Sequence, residues 1–214
     1  MATEADAADR FDLGLQWTAP PGAAMIFPAM ELPIGIDLDG TIIDHTANKL
    51  RLAAAFGYRL TPLETNSNIM SRFMPQERYE ELQERLYAGL TLEAPPVRGA
   101  LEELRRLGRP FYLISARTPA TIPFARAWLD KWLVRDVLPP ERTVFCGSGA
   151  EKRGHCDRLG VGLYLDDKVS VLEKLSPGVD KVWFDEHHLA STLPPPPGIR
   201  IVRTWAEFGE LLRR

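Results

Sequence analysis

IGIDLDGTIID, residues 34–44, places two carboxylates directly after a short apolar run. The run has the length and β-branched content of a buried strand. Strand alternation returns Asp39 to the side of Asp37, and Gly40 permits a sharp turn there. Two carboxylates this close need a cation or a proton between them, and Mg²⁺ prefers such oxygen ligands. The stretch therefore predicts a metal-dependent site at a strand end, although Asp-Gly after an apolar run is also typical of an ordinary turn.

The composition is that of a globular protein. The chain has 214 residues, a net charge of -3 and 45% hydrophobic residues, enough for one substantial core and a small inserted subdomain. This charge favours neither a nucleic acid polymer nor an anionic membrane as partner, and no run is apolar enough to span a bilayer. The N-terminus lacks a secretory pattern, and the two cysteines are too few for a disulfide framework. We expect a cytoplasmic protein with reduced thiols.

Strands and helices alternate along most of the chain, which predicts an α/β fold with a parallel sheet and helices on both faces. The predicted strands are 34–38, 111–114, 143–146, 162–165, 181–184 and 199–202. Residues 1–33 are rich in proline and irregular, and we interpret them as an N-terminal arm. Residues 46–96 contain no strong strand and predict a small helical cap over the sheet edge. The core domain would then comprise residues 34–45 and 97–214.

Polar residues follow several of these strands. Asp37 and Asp39 end the first, Ser115 ends the second in LISAR, and Asp166-Asp167 end a later one in LYLDDK. Lys152 opens a helix just after Gly-Ser-Gly. In a parallel sheet all these groups project from one edge, so we expect them in one cleft.

These residue types suit the hydrolysis of a phosphate ester. Asp37 can attack phosphorus, and Asp39 can protonate the leaving oxygen and later deprotonate water. Mg²⁺ can be held by Asp37, the backbone carbonyl of Asp39, and Asp166, with Asp167 as a second ligand or a water holder. Positive charge and donors around the phosphoryl oxygens would come from Ser115 and Lys152.

Each signal taken alone also has a structural explanation. Asp166-Asp167 can cap the helix that follows, Ser115 can be a loop hydroxyl, and Lys152 can be a solvated surface charge. Arg153, next to Lys152, could also take its role in the site. Arg117 either binds a substrate anion or pairs with an exposed carboxylate. The convergence of all these groups on one edge favours the catalytic interpretation.

Together the residues resemble the haloacid dehalogenase (HAD) superfamily of aspartate-nucleophile phosphatases. Residues 34–41 match its first motif, Ser115 its second, Lys152 its third and Asp166-Asp167 its fourth. The resemblance implies a three-layer Rossmann-like core, Mg²⁺ dependence and a helical cap that selects the substrate. It also implies phosphate binding by Ser115 and Ala116, Lys152, and Gly40 and Thr41. The family's dehalogenases lack the second aspartate, so Asp39 favours phosphoryl chemistry.

The tail of the chain is similar to the cytosolic deoxyribonucleotidase branch, in KVWFD, RIVRTWAEF and the CGSG that leads to Lys152. Glu186 and the two histidines after it stand where that branch has an asparagine. We therefore expect a Mg²⁺-dependent phosphomonoesterase for a small phosphate ester, with a nucleoside monophosphate as one candidate substrate. The alternatives are a phosphatase for sugar phosphates or other small metabolites, and a catalytically silent binding protein on the same fold.

Overall fold

The computed structural model describes residues 32–132 and 137–213. Apart from Leu32 and Pro33, the predicted N-terminal arm lies outside these ranges. Parallel strands form one sheet: β1 (Ile34–Ile36), β2 (Phe111–Ala116), β3 (Thr143–Cys146), β4 (Leu163–Asp166), β5 (Asp180–Phe184) and β6 (Ile199–Val202). Their order is β3-β2-β1-β4-β5-β6, so the chain leaves β1 on one side, returns, and continues on the other.

The helices are α1 (Thr46–Ala55), α2 (Gln76–Tyr87), α3 (Ala100–Arg106), α4 (Ile122–Lys131), α5 (Lys152–Arg158), α6 (Val169–Leu172) and α7 (Trp205–Leu212). None of those in the described ranges is long and apolar enough to cross a membrane.

Successive strand residues point to opposite faces of the sheet, and each face has its own apolar cluster. Leu163 and Leu165 belong to one cluster and Tyr164, between them, to the other. Val182 and Trp183 divide in the same way. The first cluster includes side chains of α3, α4 and α7, and the second includes side chains of α5 and α6. The strands are therefore buried on both faces, which explains why they appear in the sequence as nearly continuous hydrophobic runs. The predicted three-layer fold class is confirmed.

Close packing at β1 depends on a glycine. A Cβ built on Gly35 would lie 2.3 Å from the ring of Tyr164 on the neighbouring strand. The Tyr164 hydroxyl donates to the Ile114 carbonyl at 2.6 Å, which fixes the ring in that position. Because Gly35 has no side chain, the Tyr164 ring can pack against β1. Strands β1 and β4, next to the aspartates of the site, can therefore pair closely.

The segment predicted as a cap, residues 46–96, is helical where it is regular, and we call it the helical insert. It contains α1, α2 and the 3-10 turns Leu63–Thr65, Met70–Arg72 and Gly89–Glu93. Its small apolar cluster is separate from the two sheet clusters and consists of Leu52, Ala53, Met70, Met74, Leu82 and Leu86. Gly57 follows the end of α1 with φ 87°, a left-handed conformation that favours glycine after a helix.

Several boundaries differ from the prediction. β1 ends at Ile36, not Leu38, because the Leu38 carbonyl accepts hydrogen bonds from the N–H groups of Ile42 and Ile43, both at 2.9 Å, and so belongs to a turn. α3 begins at Ala100, directly after Gly99, which has φ 82°.

Candidate active site

The sheet topology brings the predicted strand-end residues to one edge. β1 pairs with β2 on one side and β4 on the other, so Asp37, Ser115 and Asp166 follow or end neighbouring strands. The chain reverses direction across the sheet at β1, and open α/β sheets bind ligands at such a switch point. A cavity of about 300 Å³ opens there. It is lined by Asp37, Asp39, Ser67, Tyr87, Ser115, Ala116, Ser148, Gly149, Ala150, Lys152, Asp166, Asp167, Lys168, Ser170, Val171 and Lys174.

Lys152 joins two of the strands. Its buried Nζ lies 2.6 Å from Asp37 Oδ1 and 2.7 Å from Asp166 Oδ2. Burial alone would lower the pKa of Lys152, but the two carboxylates raise it well above its usual value, so the ammonium stays charged. The surface-charge explanation of Lys152 is thus excluded by its position, 2% exposed at the first residue of α5.

Three carboxylates share the floor of this cavity. Asp37, Asp166 and Asp167 are buried, and an oxygen of each lies within 4.8 Å of the others. Burial raises the pKa of Asp37, Lys152 opposes this, and Asp166 and Asp167 raise it further. Burial likewise raises the pKa of Asp166. The single positive charge of Lys152 does not neutralise three buried carboxylates. Their oxygen atoms are the ligands that a divalent ion such as Mg²⁺ prefers.

Asp39 points to a different set of partners. Its Oδ1 accepts from His45 Nε2 at 2.8 Å and from Arg117 Nη2 at 2.5 Å. Its Oδ2 accepts from Arg117 Nε at 2.9 Å and from Ser115 Oγ at 3.3 Å. Burial would raise the pKa of Asp39, but Arg117 and the hydrogen bond from His45 hold it far below its ordinary value. The Asp39 side chain is not part of the three-carboxylate cluster, so any metal ligand from this residue would have to be its backbone carbonyl.

Arg117 has no donor to spare for a substrate anion. Besides the two bonds to Asp39, its Nη1 donates to the carbonyls of Tyr87 at 2.8 Å and Thr121 at 3.3 Å. Its Nη2 also donates to Thr91 Oγ1 at 3.2 Å, which uses all five N–H groups of the guanidinium. The side chain is buried, with the Tyr87 ring 5.0 Å from it. Arg117 therefore ties Asp39 to the end of the helical insert.

The helical insert also contacts Asp167. Ser67 Oγ donates to Asp167 Oδ2 at 2.6 Å, and Asn68 Nδ2 donates to its carbonyl at 2.8 Å. Asn68 Oδ1 accepts from Val169 N at 2.9 Å, at the start of α6. Gly40 approaches from the other side, with φ 85°, and a Cβ there would lie 2.3 Å from Asp167 Oδ2. These contacts hold Asp167 beside Asp37.

Gly40 and Thr41, which the resemblance assigns to phosphate binding, are not among the residues that line the cavity with Asp37. Gly40 lines a smaller neighbouring cavity together with His45 and Lys49. Thr41 is fully buried, and its carbonyl accepts from Trp205 Nε1 at 2.9 Å. The reason is that the chain turns back directly after Asp39, since Gly40 N donates to the Ile43 carbonyl at 2.9 Å.

The sequence does not single out His45, Ser67 and Asn68, which the structure places at the site. Only His45 carried a usable signal, because it lies in the turn that follows the aspartate pair. The other two belong to the helical insert and approach the site through tertiary packing. Cys146 and Cys156 are buried and free, and burial raises the pKa of both thiols, so neither is an activated nucleophile.

Comparisons with known proteins bear on the fold. The sequence matches no protein-family model and no curated protein. The structure is similar to a HAD hydrolase of family IA, variant 3, from Entamoeba histolytica, with TM-score 0.58, 16% identity, and coverage of 86% of this chain and 100% of that one.

A HAD family hydrolase from Deinococcus radiodurans with bound phosphate and sodium gives TM-score 0.52, 16% identity and coverage of 82% and 92% of the two chains. A dehalogenase with an intermediate complex gives TM-score 0.56, 15% identity, and coverage of 86% of this chain and 98% of that one. Identities this low establish the fold and leave the reaction open. With this topology and these neighbours, the chain has the HAD-like, Rossmann-type α/β fold.

Proposed function

We propose that this protein is a Mg²⁺-dependent phosphomonoesterase that forms an aspartyl-phosphate on Asp37. The observation that supports it best is the buried cluster of Asp37, Asp166 and Asp167 beside a single ammonium from Lys152. Such a cluster is stable when a divalent cation and an anionic ligand complete its charge. A phosphate ester with Mg²⁺ meets both requirements in a cavity of this size.

In the proposed reaction, different residues of the site provide the nucleophile, the phosphate contacts and the metal ligands. An oxygen of Asp37 attacks phosphorus, and the ester oxygen leaves with the bonding electrons and takes up a proton. Lys152 favours the ionised form of Asp37 and orients it through its 2.6 Å contact. Ser115 and Ala116 line the space for the phosphoryl oxygens. Asp37, Asp166 and Asp167 would hold Mg²⁺, which supplies positive charge to the transferring phosphoryl group.

Asp39 is the proposed acid and base. Its ionised state in this structure suits the second half of the reaction, in which it accepts a proton from the water that opens the aspartyl-phosphate. In the first half the same carboxyl must give a proton to the leaving oxygen. Because it accepts four hydrogen bonds here, at least one donor has to withdraw when the ester is bound.

Phosphoryl transfer is favoured over dehalogenation by this second carboxylate, since a departing halide needs no proton. The candidate substrates remain nucleoside monophosphates, sugar phosphates and other small phosphate esters. The similarity of the tail to deoxyribonucleotidases finds no support among the compared structures, so a nucleotide has no priority. The competing class is a catalytically silent binding protein on the same fold.

Turnover of p-nitrophenyl phosphate with Mg²⁺ tests the proposal. We expect wild-type turnover to be lost on Asp37→Asn, by about 10³-fold or more, because an amide cannot act as the nucleophile. Asp44→Asn is the matched control: Asp44 lies in the same stretch, but its Oδ1 only accepts from Thr46 N at 2.8 Å, at the start of α1. Wild-type protein inactive on a broad panel of phosphate esters would favour the silent binding protein.

A further inference from the structure

A second cavity, of about 360 Å³, adjoins the one that holds Asp37. The two cavities share Tyr87, Ala116 and Lys168 in their walls, so a molecule reacting at Asp37 can extend from one into the other. The second cavity is bounded by α2 of the helical insert and by the segments that follow β2, β3 and β4.

We infer that this second cavity receives the alcohol half of the phosphate ester, and that it is built for an uncharged, polyhydroxylated group. The inference rests on the proposed function, and it narrows the substrate to monophosphates of sugars or polyols. A second phosphate and a nucleobase are both disfavoured, each for a different reason.

The charges of the lining disfavour a second anion. Glu80 and Glu84 present two carboxylates from one side of α2. Arg117, on the opposite wall, has all five N–H groups engaged by Asp39, Tyr87, Thr91 and Thr121. Among the described lining residues this leaves Lys168 as the cation available to a ligand, and Lys168 also lines the phosphoryl cavity. A bisphosphate would place its second group against like charges.

The hydrogen-bonding groups of the lining suit hydroxyls. The two glutamates accept, and the amide of Gln83 both donates and accepts. Gln83 Nε2 is held by the Tyr79 hydroxyl at 3.0 Å, so its side chain is oriented in the absence of a ligand. On the facing wall, the hydroxyls of Thr118 and Thr121 lie 3.2 Å apart in a hydrogen bond. A ligand hydroxyl both donates and accepts, so it can satisfy either wall.

The aromatic lining is too small for a base. Tyr87 is the one aromatic ring that lines either cavity in the described part of the chain. The Arg117 guanidinium lies over this ring at 5.0 Å, and His45 meets it edge-on with centroids 5.7 Å apart. A nucleobase would thus lack the pair of apolar faces that usually hold it.

Binding to the Asp37→Asn variant tests the inference without requiring turnover. The variant would be titrated calorimetrically, in excess Mg²⁺, with glucose 6-phosphate, fructose 1,6-bisphosphate and deoxyadenosine 5′-monophosphate. We expect the sugar monophosphate to bind at least about tenfold more tightly than either competitor. Equal or tighter binding of the bisphosphate or the nucleotide, or no binding of the sugar monophosphate, would overturn the inference.

Charge reversal in the second cavity provides the second arm. In the Asp37→Asn background, Glu80→Lys with Glu84→Lys should shift the affinity ratio toward the bisphosphate by about tenfold. Glu102→Lys with Glu210→Lys makes the same charge change at exposed residues of α3 and α7, away from both cavities, and should leave the ratio unchanged. An unchanged ratio in the paired variant contradicts the inference. Wild-type turnover of p-nitrophenyl phosphate is scored separately, so failure of catalysis and failure of the subsite are distinguishable.

Discussion

Asp39 accepts hydrogen bonds from His45, Ser115 and, twice, Arg117, and this arrangement decides which way its carboxylate faces. A carboxylate with this many donors has one orientation, because rotation would break several bonds to a charged group at once. His45 is 2% exposed and lies in the turn just after the aspartate pair. Its hydrogen bond to Asp39 therefore joins two residues that are only six positions apart in the chain. Its Nδ1 is buried without a hydrogen-bond partner among the described residues, so in that part of the chain Asp39 is the one hydrogen-bond partner of the ring.

We expect His45→Ala to lower kcat by about tenfold or more with a smaller change in KM, since a hydrogen bond to a charged group contributes about 1.5–3 kcal/mol. His45→Gln places an amide N–H near the position of Nε2 and should restore most of kcat. Steady-state kinetics on a chromogenic phosphate ester would measure both. Equal kcat values for the Ala and Gln variants would show that the donor at this position is unimportant.

The left-handed glycines offer a matched comparison. Gly40 and Gly57 have φ of +85° and +87°, but a Cβ on Gly40 would meet Asp167 Oδ2 at 2.3 Å, whereas nothing lies within 4 Å of one on Gly57. Gly57→Ala should therefore lower the free energy of unfolding by about 1–2 kcal/mol, from backbone strain alone. Gly40→Ala should cost more and also weaken Mg²⁺ binding, as measured by urea unfolding and calorimetry. Equal effects of the two substitutions would contradict the close approach.

At the level of elements, the segment between α1 and α2 supports the end of β4. Asn68 bonds to the Asp167 carbonyl and accepts from Val169 N, so it fixes the chain between β4 and α6 from across the site. Ser67 adds a direct bond to the Asp167 carboxylate. The helical insert is thus part of the support for the carboxylate cluster in addition to lining both cavities.

Asn68→Ala should weaken Mg²⁺ binding by about tenfold, the usual cost of losing a residue that orients a metal ligand. Asn48→Ala is the matched control, because Asn48 Nδ2 donates to the Leu90 carbonyl at 2.9 Å inside the helical insert. We expect the control to lower stability and to leave Mg²⁺ affinity unchanged. Calorimetric titration with MgCl₂ measures both variants, and a similar loss of affinity in each would mean that Asn68 acts only through stability.

Across the whole molecule, buried acidic groups couple stability to pH. Burial raises the pKa of Glu186 to about 7, from the 4.5 of a glutamate in the unfolded chain. Between these values the folded state binds more protons than the unfolded state, so stability falls as the pH rises through this window. The nearby carboxylates of Asp44 and Asp167 act in the same direction.

Glu186→Gln should remove part of this fall in the free energy of unfolding with rising pH. Without divalent ions, we expect the wild type to lose about 1–2 kcal/mol more than the variant between the lower and upper ends of that window, once solvent screening of a partly exposed group is allowed for. Urea unfolding at a series of pH values, with a chelator present, provides the measurement. Parallel stability curves for the two proteins would show that Glu186 does not titrate abnormally.

The layered architecture and the residues at its reactive edge follow from local patterns in the chain. Alternating strands and helices predict a parallel sheet, and parallel strands present their carboxyl ends at one edge, so Asp37, Ser115 and Asp166 could be placed together without coordinates. These inferences succeed because each depends on local periodicity plus one general rule of sheet topology. The early end of β1 was missed for a local reason, since the turn uses the Leu38 carbonyl.

The groups that surround each carboxylate, by contrast, depend on long-range packing. The partnership of Arg117 with Asp39 spans 78 positions of the chain, and that of Ser67 with Asp167 spans 100. Neither has a sequence signature, because a guanidinium or a hydroxyl finds its partner through the packing of the helical insert against the sheet edge. For the same reason, the second cavity could not be read from the chain: its walls come from four separate segments that meet only after folding.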